Sequence, residues 1–369
     1  MRSFYIQAED IHSLENHLTQ FEFENETKSI LFLMADENHF SEERLIPLLN
    51  ALKTPVIGGI FPELIYDSDV KESGVLLVPL PFELRTQLFD LSENSEAFLN
   101  QLETIQGKSM NPLSSLFVFV DALSQNKETF MEALFNFFGM NTSYIGGGAG
   151  ALSLQSQPCI INNQGVHLNS AVIGWSLRNI SLGVAHGWHS FSGVLKVTET
   201  EQNLVKSINW RPAFDVYKEI VDTHAGISLN SDNFSEHAKS YPLGIEKLDA
   251  EMVVRDPLKR CPEGLLFVDS ILEGEYVKVL HGDMASLIEG AAKAKEFAQS
   301  KIDKDMDQKS LFCIDCISRV LFMQESYKKE LETISLNKNV FGVLSIGEIA
   351  NSGDSFLEIY NKTIAIGIW

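Results

Sequence analysis

The sequence predicts a mixed α/β protein of two pseudo-symmetric halves, each with a strand–helix–strand unit. The sheets are expected to pack face to face under helices, in a four-layer α-β-β-α body. Three observations carry this. The first is the stretch 310–353, which opens with the β-prone run 311–314. Val320, Met323, Tyr327, Leu331 and Ile334 then recur every three and four residues, one face of a helix. A second apolar run, 340–346, ends at Gly347-Glu348 and an expected turn at Asn351-Ser352-Gly353. The second observation is the stretch 115–150, which repeats that order. Leu116-Phe117 matches Leu311-Phe312, and Phe130, Ala133, Leu134, Phe137 and Phe138 form its helical stripe. The third is an echo between Asn169-Ser170-Ala171-Val172-Ile173-Gly174-Trp175 and the closing segment 362–369. A fainter third copy pairs 29–36 with 55–65. The shared order of elements reads as internal duplication about a pseudo-dyad.

Taken in order, residues 3–7 read as a strand and 10–21 as a helix. A strand at 30–34 precedes a helix capped by Ser41, with Leu45, Leu48, Leu49 and Leu52 on one side and Pro47 inside it. Strands follow at 56–60 and 75–80, and a helix carries Phe98, Leu102 and Ile105. Gly146 to Gly150 reads as a flexible glycine turn. Hairpin-like strands occupy 159–161, 165–168, 171–177 and 182–186, with another strand at 194–198. After a short helix at 212–221, the polar, turn-rich stretch 223–248 marks the junction between halves. A strand at 251–255 ends at Asp256-Pro257, and 265–269 with 276–280 reads as a pair. Leu287, Ala291, Ala294, Ala298 and Ile302 mark a closely packing helix, and 356–360 with 363–369 a final hairpin.

Composition narrows the function. The 369 residues suffice for two domains with substantial cores. Twenty-nine basic against 50 acidic residues give a net charge of −21, the wrong sign for nucleic acid or an anionic lipid surface. No segment approaches the about 18 apolar residues of a membrane span, and the first residues lack the pattern of a signal peptide. Four irregularly spaced cysteines make no disulfide framework. The expected location is the cytoplasm.

Several constellations have possible chemistry. Cys313-x-x-Cys316 lies at a strand-to-helix junction where a helix dipole lowers thiol pKa, but zinc would need two further ligands and none is spaced for it. No cofactor motif appears. Gly146, Gly147 and Gly148 could wrap an anion with backbone N–H groups, or serve close packing. Arg319 and Glu348 leave the two strands of the 310–353 unit at ends where open α/β sheets bind ligands. A guanidinium fork matches a carboxylate and a nearby glutamate matches an ammonium, a set suited to an amino acid; the two could equally pair with each other. Arg255, before Asp256-Pro257, could contribute to such a site or hold its own loop.

At these residues the chain resembles the FIST-domain family, over roughly 28–369. The resemblance rests on Tyr241-Pro242-Leu243-Gly244, Val254-Arg255-Asp256-Pro257, Glu273-Gly274, Cys316-Ile317-Ser318-Arg319, Gly347-Glu348-Ile349-Ala350 and Asn361-Lys362-Thr363. In the first half it rests on Gly146 to Gly150 and on Thr198 after Gly193. It implies an N-terminal FIST-like domain over 1–222 and a C-terminal one over 223–369. In place of the family's small polar stretch ending Gly-Glu-Ile stands the bulkier Gly58-Gly59-Ile60-Phe61-Pro62-Glu63-Leu64, which implies an altered ligand contact there.

The resemblance implies a non-catalytic sensor of a small molecule, an amino acid or related carboxylate, read by a separate signalling output protein. Arg319, Glu348, Arg255, Cys316, Asn361 and the glycine backbone would line its crevice. Two other readings remain open at this point. One is an enzyme using Cys316, with Arg319 orienting a carboxylate and Glu348 as acid or base. The other is an interaction scaffold with a vestigial site.

Overall fold

The computed structural model describes residues 2–7, 10–38, 40–106, 114–247, 251–302, 310–336, 338–351 and 356–369. The chain is mixed α and β, as expected, and its strands run through three units of one design. The first unit is β1 (Phe4–Ile6), α1 (Ile11–Phe23), β2 (Ser29–Ala35), α2 (Glu42–Ala51), β3 (Val56–Phe61), the hairpin β4 (Glu63–Tyr66) and β5 (Asp69–Lys71), and β6 (Val75–Leu80). The second is β7 (Arg85–Asp90), α3 (Ser95–Gln106), β8 (Ser115–Asp121), α4 (Lys127–Phe138), β9 (Ser143–Ala149), the hairpin β10 (Ile160–Asn162) and β11 (Gly165–His167), and β12 (Ser170–Ser176).

The third unit opens with β13 (Ser181–Ala185) and is interrupted by an insert. The insert holds β14 (His189–Ser190), β15 (Leu195–Glu201), β16 (Leu204–Ile208), β17 (Arg211–Pro212), α5 (Ala213–Ala225) and α6 (Phe234–Ala238). It continues with β18 (Leu243–Ile245), β19 (Val253–Arg255), β20 (Pro257–Cys261), β21 (Gly264–Phe267) and β22 (Tyr276–His281). The unit then resumes as α7 (Met284–Ser300), β23 (Leu311–Cys316), α8 (Ile317–Met323), α9 (Tyr327–Ser335), β24 (Val340–Ser345), the strands β25 (Glu348–Asn351) and β26 (Leu357–Tyr360), and β27 (Ile364–Ile368).

Each unit builds a six-stranded sheet around one parallel pair: β2 with β3, β8 with β9, and β23 with β24. The strand orders are β1-β6-β2-β3-β10-β11, β7-β12-β8-β9-β25-β26 and β13-β27-β23-β24-β4-β5. The last two strands of every sheet therefore come from a different unit. The exchange is cyclic: the first unit's hairpin completes the third sheet, the second's the first, and the third's the second. The inner faces of all three sheets share one apolar core that includes Leu31, Ile57, Phe117, Ile145, Phe312 and Phe341. Helices cover the outer faces with their own clusters, Leu14 and Leu49 in the first unit, Phe98 and Phe130 in the second, Leu287 and Leu331 in the third. Sheets thus pack face to face under helices, and the third sheet, legible in sequence only as the faint copy, closes the body.

Other expectations change. The strand expected at 56–60 is β3, but the rest of the fainter copy leaves it, because the chain breaks at Pro62 and β4 crosses to another sheet. The glycine run is not a turn; Gly146 to Ala149 lie in β9. The segments at 265–269 and 276–280 do not pair; β21 joins β16 and β20, whereas β22 joins β14, β15 and β18. The closing segments also part: β26 pairs with β25 and β27 with β13 and β23. The single helix expected over 320–334 is broken at Gln324, whose φ is 49°. The turn expected at Ser352-Gly353 lies outside the described residues. The boundary placed between 222 and 223 falls inside α5, since Leu229, Phe234, Ala238 and Tyr241 of the supposed junction pack into the insert's core.

The glycines serve close approach. Gly58, Gly146 and Gly342 stand opposite Phe32, Val118 and Cys313 in the three parallel pairs. A Cβ on them would lie 1.8, 1.6 and 1.7 Å from those residues' carbonyl oxygens. Gly146→Ala is expected to cost about 3 kcal/mol or more of stability in urea unfolding. Gly193→Ala, with nothing within 4 Å of the added Cβ, should stay within about 0.5 kcal/mol. Equal behaviour of the two variants would contradict the packing.

Candidate functional site

The carboxyl ends of β23 and β24 carry a buried polar cluster. β23 ends on Asp315-Cys316 and α8 starts at once, so Arg319 returns over the strand it left. The break at Gln324 turns α9 back, which brings Tyr327 and Glu330 to the same place. Arg319 is fully buried. Its Nε lies 3.1 Å from Asp315 Oδ1, and its Nη2 donates to Glu330 Oε2 at 2.5 Å and to the Leu287 carbonyl at 3.1 Å. Its Nη1 donates to the His186 carbonyl at 2.7 Å. Tyr327 Oη donates to Asp315 Oδ2 at 2.8 Å. Burial pushes both carboxyls up, against the pull of the Arg319 charge. One guanidinium thus holds two buried acids.

Arg319 was expected to receive a ligand's carboxylate. The structure corrects this: the side chain is enclosed and its donors are taken by the protein's own acceptors. It does not pair with Glu348. That side chain, also fully buried, accepts from Ser345 Oγ at 2.8 Å and from the Thr363 N–H at 3.3 Å. Burial, then the nearby Asp315 carboxylate, push its pKa well above the ordinary range.

The glycine backbone is likewise occupied by the sheet rather than open to an anion. Gly147 stands opposite Glu348, and the Gly148 N–H donates to the Gly347 carbonyl at 2.8 Å. Arg255 lies elsewhere. Its Nε donates to the Ser270 carbonyl at 3.0 Å and its Nη1 to the Ile359 carbonyl at 2.8 Å, and it fronts a separate groove beside Met131, Phe135 and Lys247.

Cys316 and Asn361 do reach a cavity, one of about 230 Å³ at the seam of the second unit, the third unit and the insert. Cys316 is 3% exposed, and burial, then the Glu348 carboxylate, hold its thiol well above the usual pKa. Asn361 is 1% exposed. Its Nδ2 donates to Asp269 Oδ2 at 2.5 Å and to the Tyr360 carbonyl at 3.1 Å, whereas its Oδ1 has no partner among the described residues. Behind it Asp269 pairs with Lys127 at 2.7 Å. Burial works against the Lys127 charge, but the Asp269 carboxylate raises its pKa above the ordinary value.

Sequence reasoning missed the mouth of this cavity. Leu152 and Leu154 follow β9, Leu258 comes from the insert and Leu321 from α8. All four are well exposed for leucine, and Leu154 sits at a φ of 55°, a strained conformation for a bulky residue. The available signal was two leucines in the polar stretch 151–158. Among the described residues no group of three or more metal-ligating side chains is placed to hold an ion.

Fold and site together define a closed α/β protein with a small, leucine-rimmed cleft at strand carboxyl ends. The FIST N domain matches residues 29–211 and the FIST C domain residues 213–351; the chain belongs to the FIST family, whose domains are sensory domains of signal-transduction proteins. The two models meet inside the insert, between β17 and α5. The chain is also similar to the crystal structure of a chorismatase, at 9% identity and a TM-score of 0.35, covering 100% of this chain and 98% of that one. No curated protein matches the sequence. Among the described residues no helix is long and apolar enough to cross a membrane.

Two outcomes test the cluster. Arg319→Met strands two buried acids and is expected to cost about 3–5 kcal/mol in denaturant unfolding; a cost under about 1 kcal/mol would contradict the enclosed geometry. Glu348 gives a pH signature. Its folded pKa lies above the unfolded value of about 4.3, so between the two the native state keeps a proton the unfolded chain has lost. Native stability therefore falls as pH rises through that window, by up to about 1.4 kcal/mol per pH unit. Glu348→Gln has no proton to lose and should gain on the parent protein as pH rises above about 4.3. Parallel stability curves would show that Glu348 ionises alike in both states.

Proposed function

We propose that this chain is a non-catalytic sensor whose ligand is a small amphipathic molecule bound in the leucine-rimmed cleft. The observation that carries the reading is Asn361 Oδ1, a buried acceptor without a partner at the cleft floor. A buried polar atom left unpaired costs about 1–3 kcal/mol, and a ligand N–H or O–H would satisfy it. The four leucines would take the ligand's apolar body. The volume lies below the about 300–1,000 Å³ of pockets for drug-sized ligands, which suits a smaller molecule such as an amino acid or amine.

With Arg319 engaged, the polar end of the ligand is a donor rather than an acid. An apolar amino acid fits through its ammonium group. Binding would favour one arrangement of the second unit, third unit and insert, which a separate output protein reads. The enzyme reading loses support from Cys316, whose buried thiol is held in its protonated form and sits beside a carboxyl rather than a basic partner.

Thermal shift with leucine, leucinamide, 3-methylbutylamine and 4-methylpentanoate tests this. Donor-bearing compounds at 100 times their dissociation constant should stabilise the fold by about 2.7 kcal/mol, several degrees. Asn361→Leu should abolish the shift while melting as a folded protein. A response to 4-methylpentanoate alone, or to none of the four, would overturn the reading.

A further inference from the structure

The opposite end of the three sheets carries a second feature. β6, β12 and β27 run antiparallel to the parallel pairs, so their last residues meet where β2, β8 and β23 begin. Two adjoining hollows of about 410 and 470 Å³ open there and share Phe82 and Arg178. Aromatic rings form the floor. Phe82 stacks on Phe117 with centroids 6.5 Å apart and meets Trp369 edge-on at 6.3 Å, and Trp175 lines the adjoining wall. Trp369 is 4% exposed, and among the described residues its indole N–H has no acceptor. A buried indole N–H ordinarily finds one.

The charge at the rim is unusual for this chain. Of its eight arginines, three line the groove: Arg2, Arg85 and Arg178. All three are exposed, and none forms an ion pair among the described residues. Elsewhere Arg211 pairs with Glu219, Arg319 is enclosed by acids, and Arg260 donates to Ser231 and lies over the Phe214 ring. The side-chain carboxylates among the lining residues are Glu24, Glu26 and Glu83; Glu24 already accepts from Gln20 and Thr27. A floor short of one acceptor, under unpaired guanidinium forks in a protein of net charge −21, suits an anion that brings its own apolar body.

We infer that this groove is a second binding site, distinct from the leucine-rimmed cleft, for an organic anion with a flat apolar body, a carboxylate or a phosphate. The ring lies against Phe82 and Trp175, and the oxygens take the Trp369 N–H and the Arg178 and Arg85 guanidinium groups.

Titration calorimetry on the full chain tests it with 4-phenylbutyrate, phenyl phosphate and neutral 4-phenylbutyramide. At least one anion should bind, and the amide at least tenfold more weakly. Raising sodium chloride from 50 to 500 mM should weaken the anion. Binding by the carboxylate alone, the phosphate alone or both assigns the head group. Arg178→Gln with Arg85→Gln should weaken binding at least tenfold, and Trp369→Phe, which keeps a ring and removes the N–H, should weaken it as well. Asn361→Leu should leave it unchanged, so failure here is separable from failure at the cleft. An amide that binds as well as the anions, variants that bind like the parent, or no saturable heat from either anion would overturn the inference.

Discussion

The exchange of hairpins is the constraint on which the rest of the molecule depends. β4 pairs with β24, β10 with β3 and β25 with β9, so each sheet takes two of its six strands from another unit. No unit can complete its sheet alone, and the inner core forms only when three inner faces meet. This explains why β2, β8, β12 and β23 are buried along their whole length. A strand covered by helices outside and by two other sheets inside has no polar face to offer. It also explains the glycines opposite the first strand of each parallel pair, where side-chain carbon would meet a carbonyl oxygen.

The exchange creates the polar seam as well. Glu348 opens the strand that crosses from the third unit to the second, which carries it past the end of β23. Three acids, Asp315, Glu330 and Glu348, then lie within one dry region, the first two of them on a single guanidinium. Such a cluster is costly to bury and is tolerated only when its donors and acceptors are matched. Arg319 meets that condition by binding α9, α7, the end of β13 and its own strand end together. The floor of the cleft is fixed in a similar way. Lys127 of the second unit, Asp269 of the insert and Asn361 of the third unit form one buried chain, so the free acceptor of Asn361 is held by groups from three parts of the molecule.

Local pattern was readable because local geometry makes it. The stripe from Val320 to Ile334, the apolar runs of β23 and β24 and the echo between β12 and β27 are all present, and the last reflects shared backbone. Asn169 and Lys362 both stand before those strands with φ near 50°, at 46° and 50°. What could not be read is partner choice. β26 and β27 are two short apolar strands joined by a turn, and nothing in either says that they belong to different sheets. The glycine run looked like a turn because glycine permits turns, whereas it serves a strand pressed against another backbone. Arg319 looked like a ligand group because its acceptors, Glu330 apart, are backbone carbonyls and a strand-end aspartate that periodicity treats as structure. The cleft went unseen because its four rim leucines come from three separate segments.

On the proposed sensing role, the energy of a response comes from the rim more than from the floor. One hydrogen bond to Asn361 Oδ1 is worth about 1 kcal/mol net, which shifts a two-state population about fivefold. Moving a population from one dominant state to the other takes about 5.5 kcal/mol of differential affinity. Leucine side chains drawn out of water contribute about 1.5–3 kcal/mol each when burial is complete. Leu154, Leu258 and Leu321 belong to three different parts of the chain, and each is more than one-third exposed. A ligand that buries them must draw those parts together, whereas the hydrogen bond selects which ligand is allowed to do so. Specificity would then reside in the asparagine and the conformational bias in the leucines.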